Sequence, residues 1–135
     1  MGLFGNKSKG EACAVFYEGD LPGFIANGAC RIRLLGDILY LRQVSPQVEV
    51  TLERNRIMGV ECLSEQEYMQ KYKGSEGTPL QKGEIPRVFH VYTYVSRDGK
   101  TQRFTVWSAG INENRKMMKL KDDIISMMGP ARYDI

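Results

Sequence analysis

The chain has 135 residues, of which 42% are apolar and 26% are charged, and its 19 basic and 16 acidic side chains give a formal net charge of +3. This length suits one domain, and the composition excludes a disordered, collagen-like or disulfide-rich chain. Because the charges nearly balance, we also exclude a protein that coats nucleic acid through its net charge, and we expect no nucleic-acid partner.

Cysteine spacing and hydropathy indicate the compartment. Cys13, Cys30 and Cys62 are odd in number, far apart, set in apolar stretches and without a histidine close in sequence. We predict reduced, buried thiols in place of disulfides or zinc ligands, and we expect no metal and no cofactor. No apolar run approaches the ~20 residues of a membrane-spanning helix, and the first residues lack the apolar segment of a secretory signal. These observations favour a cytoplasmic protein.

The first residues, MGLFGNKSKG, are rich in glycine and lysine. We interpret residues 1–11 as a flexible tail, and residues 130–135 as a second one. The alternative for the first tail is a weak contact with a membrane, in which two apolar side chains enter the lipid and two lysines meet anionic headgroups. Two lysines contribute only about 2 kcal/mol at such a surface, which is too little to anchor the chain. The candidate membrane-contact residues are Leu3, Phe4, Lys7 and Lys9.

Short stretches of β-branched and aromatic residues, separated by turn residues, fill the first two-thirds of the chain. In residues 29–35, apolar side chains alternate with Arg31 and Arg33, which predicts a half-buried strand with both arginines on its solvent-facing side. Gly36 and Asp37 then fit a two-residue hairpin turn with glycine first. The predicted strands are 12–17, 29–35, 38–43, 48–53, 57–63, 87–96 and 101–108.

Two connecting segments are less regular. Ser64 and Glu67 have the spacing of a capping box, so residues 64–73 fit a short helix, although an irregular extension fits as well. Residues 74–86 hold several glycines and prolines and are predicted to form a mobile loop.

The last two predicted strands form a hairpin around Asp98 and Gly99, and its register has two solutions. A two-residue turn pairs Phe104 with Thr93, whereas a three-residue turn with a bulge at Gly99 pairs Phe104 with Tyr92. A shift of one residue exchanges the two faces of a strand. Which side of the strand faces the core therefore stays open, and with it the placement of His90, Tyr92 and Tyr94.

From Asn112 the apolar period becomes helical, and we predict a helix over 113–128 with Asn112 as its N-cap and an end at Gly129–Pro130. Its core-facing stripe is Met117, Leu120, Ile124 and Met128, and Met118 and Ile125 widen it. Methionine on such a stripe commonly fills gaps in a core, but a flexible thioether also suits a protein partner. The candidate partner-contact residues are Met118, Met127 and Met128.

Seven antiparallel strands followed by one helix is an order of elements that resembles the bacterial pleckstrin-homology-like (PH-like) family. Three segments of the sequence also resemble segments of this family: the late hairpin VFHVYTYVSRDGKTQRFTVW, the middle strands VTLERNRIMGVECLSEQE, and the turn LPGF before the second strand. The resemblance covers most of residues 12–128. It implies a mainly β fold, with a bent seven-stranded antiparallel sheet or partly open barrel capped by the C-terminal helix, as one domain over 12–129.

The resemblance also implies a ligand site, because PH-like domains bind phosphoinositide headgroups through a lysine at the end of the first strand and an Arg-x-Arg pair in the second. Arg31 and Arg33 match that pair and are the candidate anion- or lipid-binding residues. The lysine is missing, and Glu18 and Asp20 in the connecting segment would repel phosphate. We therefore prefer to interpret the pair as two solvated arginines.

Motifs of enzymes are missing from the sequence. The chain has one histidine, His90, within a predicted strand, and it lacks a nucleophile elbow, a phosphate-binding loop and a metal-ligand spacing. We predict that the chain is not an enzyme but an interaction or scaffold module that binds protein partners, with self-assembly as one form of that binding. The alternatives are a peripheral module that binds anionic lipid, and a carrier of a small apolar ligand.

Overall fold

Seven antiparallel strands in one open sheet and a C-terminal helix make up the fold, which was obtained as a computed structural model and is described over residues 11–75, 83 and 85–126. Across the sheet the strands follow the order β4-β3-β2-β1-β7-β6-β5, so β4 and β5 are its edges. The mainly β class predicted from the sequence is confirmed. Most of the predicted loop 74–86 lies outside the described residues.

The elements have these bounds: β1 Ala12–Gly19, β2 Ala29–Leu35, β3 Ile38–Gln43, β4 Val48–Glu53, β5 Ile57–Ser64, α1 Glu65–Tyr68, β6 Arg87–Val95, β7 Thr101–Ala109 and α2 Ile111–Ser126.

Alternation and turn chemistry explain the half of the sheet formed by β2, β3 and β4. The β2–β3 pairing ends at Leu35 and Ile38, and between them Gly36 takes a positive φ of 59° at the first turn position, as predicted. Ile32 and Leu41 pair directly and are fully buried. The arginines of β2 therefore lie on the face of the sheet away from the core.

The β6–β7 hairpin adopts the second of the two predicted registers. Tyr92 pairs with Phe104, Gly99 has a φ of 86°, and the Ser96 N–H donates to the Lys100 carbonyl at 2.8 Å across a three-residue turn. Tyr92 and Tyr94 consequently face the main core, where they pack against Phe104.

Strand β6 is buried on both of its faces. Phe89 and Val91 point away from the main core into a second cluster, which Tyr68 of α1 covers. Helix α1 starts with the predicted capping box, because the Glu67 N–H donates to Ser64 Oγ at 3.1 Å and the Ser64 N–H donates to Glu67 Oε1 at 2.8 Å. A π-helical turn over Met69–Lys73 follows. The ambiguous segment 64–73 is thus helical.

Helix α2 packs Met117, Leu120 and Ile124 against the main core, as predicted. It begins at Ile111, and the prediction that Asn112 caps a helix starting at 113 is wrong. The physical reason is Gly110, whose φ of 91° turns the chain out of β7 and whose carbonyl accepts the N–H of Asn114 at 3.0 Å.

A buried arginine ties the far part of α2 to the corner between β4 and β5. Arg54 Nε donates to the Ile124 carbonyl at 2.5 Å, and its Nη1 donates to the Ile57 carbonyl at 3.0 Å. A positive charge near the end of a helix is favourable because the last carbonyls carry partial negative charge.

The prediction that all three thiols are buried is wrong for Cys13, which is exposed. In β1 the neighbouring Ala12 and Ala14 face the core, so the pleat turns Cys13 outward. Cys62 is partly exposed, and Cys30 is buried, where desolvation raises the pKa of its thiol to about 12.

Candidate functional site

An apolar line runs along the exposed side of α2. Ile111, Met118 and Ile125 are 76%, 42% and 43% exposed. They are seven residues apart, close to two helical turns, so they lie in one row on a different face from the core-packing side chains. We call these three residues the α2 stripe. It contains Met118, one of the predicted partner contacts, whereas Met127 and Met128 lie outside the described residues.

Two opposite charges flank this stripe on one side. Arg115 and Asp122 are exposed and seven residues apart, and neither forms an ion pair with another residue of the described part of the chain. Two lysines of the helix are instead paired along it: Lys119 Nζ lies 3.2 Å from an Asp123 carboxylate oxygen, and Lys116 Nζ lies 3.7 Å from a carboxylate oxygen of an earlier glutamate. The stripe is therefore bordered by charges that have no partner of their own on the helix.

Arg31 and Arg33 lie in a shallow cleft on the outer face of β2, β3 and β4. The strand register places Arg31 opposite Arg42 and Arg33 opposite Tyr40. The sequence interpretation missed Arg42 and Tyr40, although the predicted turn between β2 and β3 already implied this pairing. The cleft has a volume of about 150 Å³ and is lined by Glu11, Arg31, Arg33, Tyr40, Arg42 and Glu49.

Carboxylates offset most of the positive charge in this cleft. Glu11 is buried there and lies 3.4 Å from Arg42 and 3.7 Å from Arg31. The Arg33 guanidinium instead lies 5.5 Å from the centroid of the Tyr40 ring. Three guanidinium groups and two carboxylates leave 3 − 2 = +1 net charge. This small net charge leaves little attraction for an anion, because Glu11 already occupies two of the three arginines.

The single histidine belongs to a hydrogen-bonded chain that the sequence did not indicate. His90 is fully buried, with Nδ1 3.2 Å from Cys62 Sγ and Nε2 2.7 Å from Ser108 Oγ. Ser108 Oγ donates to Asn114 Oδ1 of α2 at 2.6 Å. Because the serine proton is used there, Ser108 accepts from His90 Nε2–H, which leaves Nδ1 to accept the Cys62 S–H.

Burial keeps the hydrogen-bonded side chains of His90 and Cys62 uncharged. Desolvation, with the positive charge of Lys121, lowers the pKa of His90 to about 4. Desolvation also raises the pKa of Cys62, and Lys121 and Asp122 act on it in opposite directions. The thiol and imidazole therefore stay in their neutral forms near pH 7, and a neutral thiol is a poor nucleophile.

Other site classes find little support in the described part of the chain. It contains no cluster of three or more side chains able to hold a metal ion. No helix there has the length and apolar character needed to cross a bilayer. The predicted membrane contacts, Leu3, Phe4, Lys7 and Lys9, lie outside the described residues.

Comparison with known proteins gives no relative, since no family model, curated protein or solved structure matches this chain. The resemblance to PH-like domains therefore stays a prediction from the sequence.

Proposed function

We propose that this protein is a non-catalytic interaction module that pairs with a second copy of itself through the α2 stripe. The observation that carries the proposal is the row of exposed apolar side chains at Ile111, Met118 and Ile125. An exposed apolar row on an otherwise charged helix is a common feature of helix-mediated contacts. The predicted PH-like resemblance agrees with this function, because it implies a binding module without catalysis.

The flanking charges favour a second copy in antiparallel orientation. A two-fold axis beside Met118 would bring Met118 against its counterpart and Ile111 against Ile125 of the second copy. The same two-fold rotation places the flank that carries Arg115 and Asp122 against the same flank of the second copy, running in the opposite direction. Arg115 therefore meets Asp122 of the second copy, and symmetry makes this pair occur twice. In a parallel arrangement this flank would face the opposite flank of the second helix, so Arg115 would not meet Asp122. Charge complementarity therefore supports the antiparallel dimer.

The contact is small, and so is the affinity that we expect. Three apolar side chains from each copy and two exposed ion pairs in the whole dimer bury less surface than a standard interface of about 1,600 Å², so the dimer should dissociate roughly in the micromolar to millimolar range. A dimer of this strength serves reversible assembly, in which local concentration or a further binding site increases the occupancy.

Sedimentation velocity over a wide concentration range tests the proposal. Wild-type protein should shift from monomer to dimer with rising concentration, and Met118→Glu should stay monomeric, because two like charges would meet at the two-fold axis. Met58→Glu is the matched control, since Met58 is also an exposed methionine, at 59%, and belongs to β5 and not to the stripe. A wild-type chain that stays monomeric at every concentration, or equal loss of dimer in both variants, would contradict the proposed function.

A second candidate function, contact with an anionic lipid headgroup, is favoured by the cleft of Arg31, Arg33 and Arg42. Wild-type protein should float with phosphatidylserine vesicles at low salt, and Arg33→Gln should reduce that fraction, because the Arg33 guanidinium is the one that Glu11 does not hold. Arg97→Gln, which changes an exposed arginine elsewhere, is the control. Equal flotation of both variants, or no flotation at all, would remove this candidate.

A further inference from the structure

Two irregular backbone features meet on the outer face of β1 and β7, far along the chain from each other. The β1–β7 register shifts between Phe16 and Glu18, so a bulge at Tyr17 turns Glu18 to the outer face. The π-helical turn Met69–Lys73 carries Tyr72 and Lys73 toward the same place. Bulges and π-helical turns recur beside functional sites because they re-aim side chains that regular structure would point elsewhere.

Between these features lies a cleft of about 240 Å³, lined by Glu18, Gly19, Arg103 and Thr105. Glu18 is fully engaged, since one carboxylate oxygen lies 2.5 Å from Lys73 Nζ and the other accepts the Tyr68 hydroxyl. Burial raises the pKa of Glu18, but the hydrogen bonds from Lys73 and Tyr68 and the charges of Lys73 and Arg103 outweigh burial and lower it. Glu18 is therefore an ionised, fixed wall of the cleft.

Arg103 is the charged group at this cleft that is free to bind. Its Cζ lies 4.4 Å from the centroid of the Tyr72 ring, and the Tyr72 hydroxyl donates to a Glu61 carboxylate oxygen, which holds the ring in place. Within the described residues its side chain forms no ion pair. The nearby Asp20 carboxylate accepts from the Arg103 backbone N–H at 3.5 Å. A guanidinium stacked on a fixed ring keeps its plane, and a fixed plane suits bidentate hydrogen bonding.

We propose that this cleft binds a carboxylate group, with the Arg103 guanidinium as its bidentate partner and the Tyr72 ring as the platform that orients it. The rest of the ligand would occupy the space above Thr105, whose buried hydroxyl lies 3.2 Å from the Tyr68 hydroxyl. The carboxylate belongs either to a free organic acid or to a peptide, and the chemistry of recognition is the same for both.

Nuclear magnetic resonance titration of the full chain tests this site, with sodium benzoate as the free acid and an acetylated dipeptide as the peptide source. Saturable shifts of the Arg103 Nε–H and Thr105 amide signals are expected with at least one of them. Arg103→Gln should weaken binding by about tenfold or more, and Arg103→Lys should also weaken it, because an ammonium lacks the fork. Arg97→Gln, on the same hairpin and 82% exposed at its side chain, should titrate like wild type.

Neutral benzamide and inorganic phosphate complete the design. Benzamide shifts equal to those of benzoate would show that charge is irrelevant, and equal binding of phosphate would show a general anion site; either result overturns the carboxylate assignment. No saturable shift with either carboxylate, or equal weakening in Arg103→Gln and Arg97→Gln, overturns it as well. The Met118→Glu variant should titrate like wild type, which separates this site from the proposed dimer.

Discussion

His90 is the residue through which pH should act on the stability of the fold. It is buried and neutral, with a pKa of about 4, whereas an unfolded histidine has a pKa of about 6.5. Below pH 6.5 His90 binds a proton in the unfolded chain but stays neutral in the folded chain, so the fold loses stability as the pH falls. We expect the free energy of unfolding to decrease by about 3 kcal/mol between pH 6.5 and pH 4, and not to depend on His90 above pH 6.5.

Urea denaturation at a series of pH values measures this effect, and His90→Gln is the comparison because glutamine does not titrate. The variant is less stable at pH 7, but its unfolding free energy should be flatter between pH 6.5 and pH 4. Parallel pH curves for the two proteins would contradict the linkage to His90.

Single residues also mark how far the sequence could lead toward the candidate sites. Alternation in β2 was enough to place Arg31 and Arg33 on the outer face, because the pleat has a period of two. Their neighbour Arg42 could be reached by counting across the predicted turn. Glu11 could not, because it precedes the first strand and no turn fixes its position. Contacts made between elements distant in sequence, such as Arg103 of β7 with Tyr72 of the π-helical turn, leave no local pattern at all.

At the scale of elements, charge reversals on α2 test whether the two helices of the proposed dimer are antiparallel. Arg115→Asp places an acid beside Asp122 of the second copy, and Asp122→Arg places two arginines together. Each single reversal should weaken dimerisation by about fivefold, and the double variant should restore it because the pairs are again opposite in charge.

Sedimentation equilibrium of the two single variants and the double variant gives the measurement. Reversal of Lys119 and Asp123, which pair with each other along the same helix, is the matched control and should leave dimerisation unchanged. A double variant no better than the single ones would argue against antiparallel pairing.

Two elements, β6 and α1, show why local sequence patterns could not predict every part of the fold. In β6 the run from Val88 to Val95 is almost wholly apolar, since both faces are buried, and such a run carries no alternation from which to read its register. The turn at Asp98 and Gly99 allowed both pairings, and burial of Tyr92 against Phe104 favours one of them. The secondary structure of α1 was ambiguous in the sequence for another reason. The helix is a single turn, and it is stabilised by packing of Tyr68 in the second hydrophobic cluster more than by helix propensity.

At the scale of the whole molecule, fold and function are predictable to different degrees. The order of strands and helix follows from periodicity and turn residues along the chain, which is why the mainly β class with a C-terminal helix was predicted correctly. The function depends on which outer faces stay unpartnered, such as the α2 stripe. Which outer faces stay unpartnered is known only after every core-facing side chain has been placed in the folded structure. One fold can also carry many different outer surfaces.

The pairing of β1 with β7 has a consequence for how the protein reaches its folded state during synthesis. Val15 lies beside Trp107, which follows it by 107 − 15 = 92 residues, whereas β1 can pair with β2 as soon as both have left the ribosome. We therefore expect β1 to β4 to be able to pair before β7 emerges, as a half-sheet whose β1 edge has no partner. Contacts of such long separation form slowly, and an open edge invites pairing with other nascent chains. We therefore expect slower translation between β4 and β7 to lengthen the time in which such a half-sheet could aggregate.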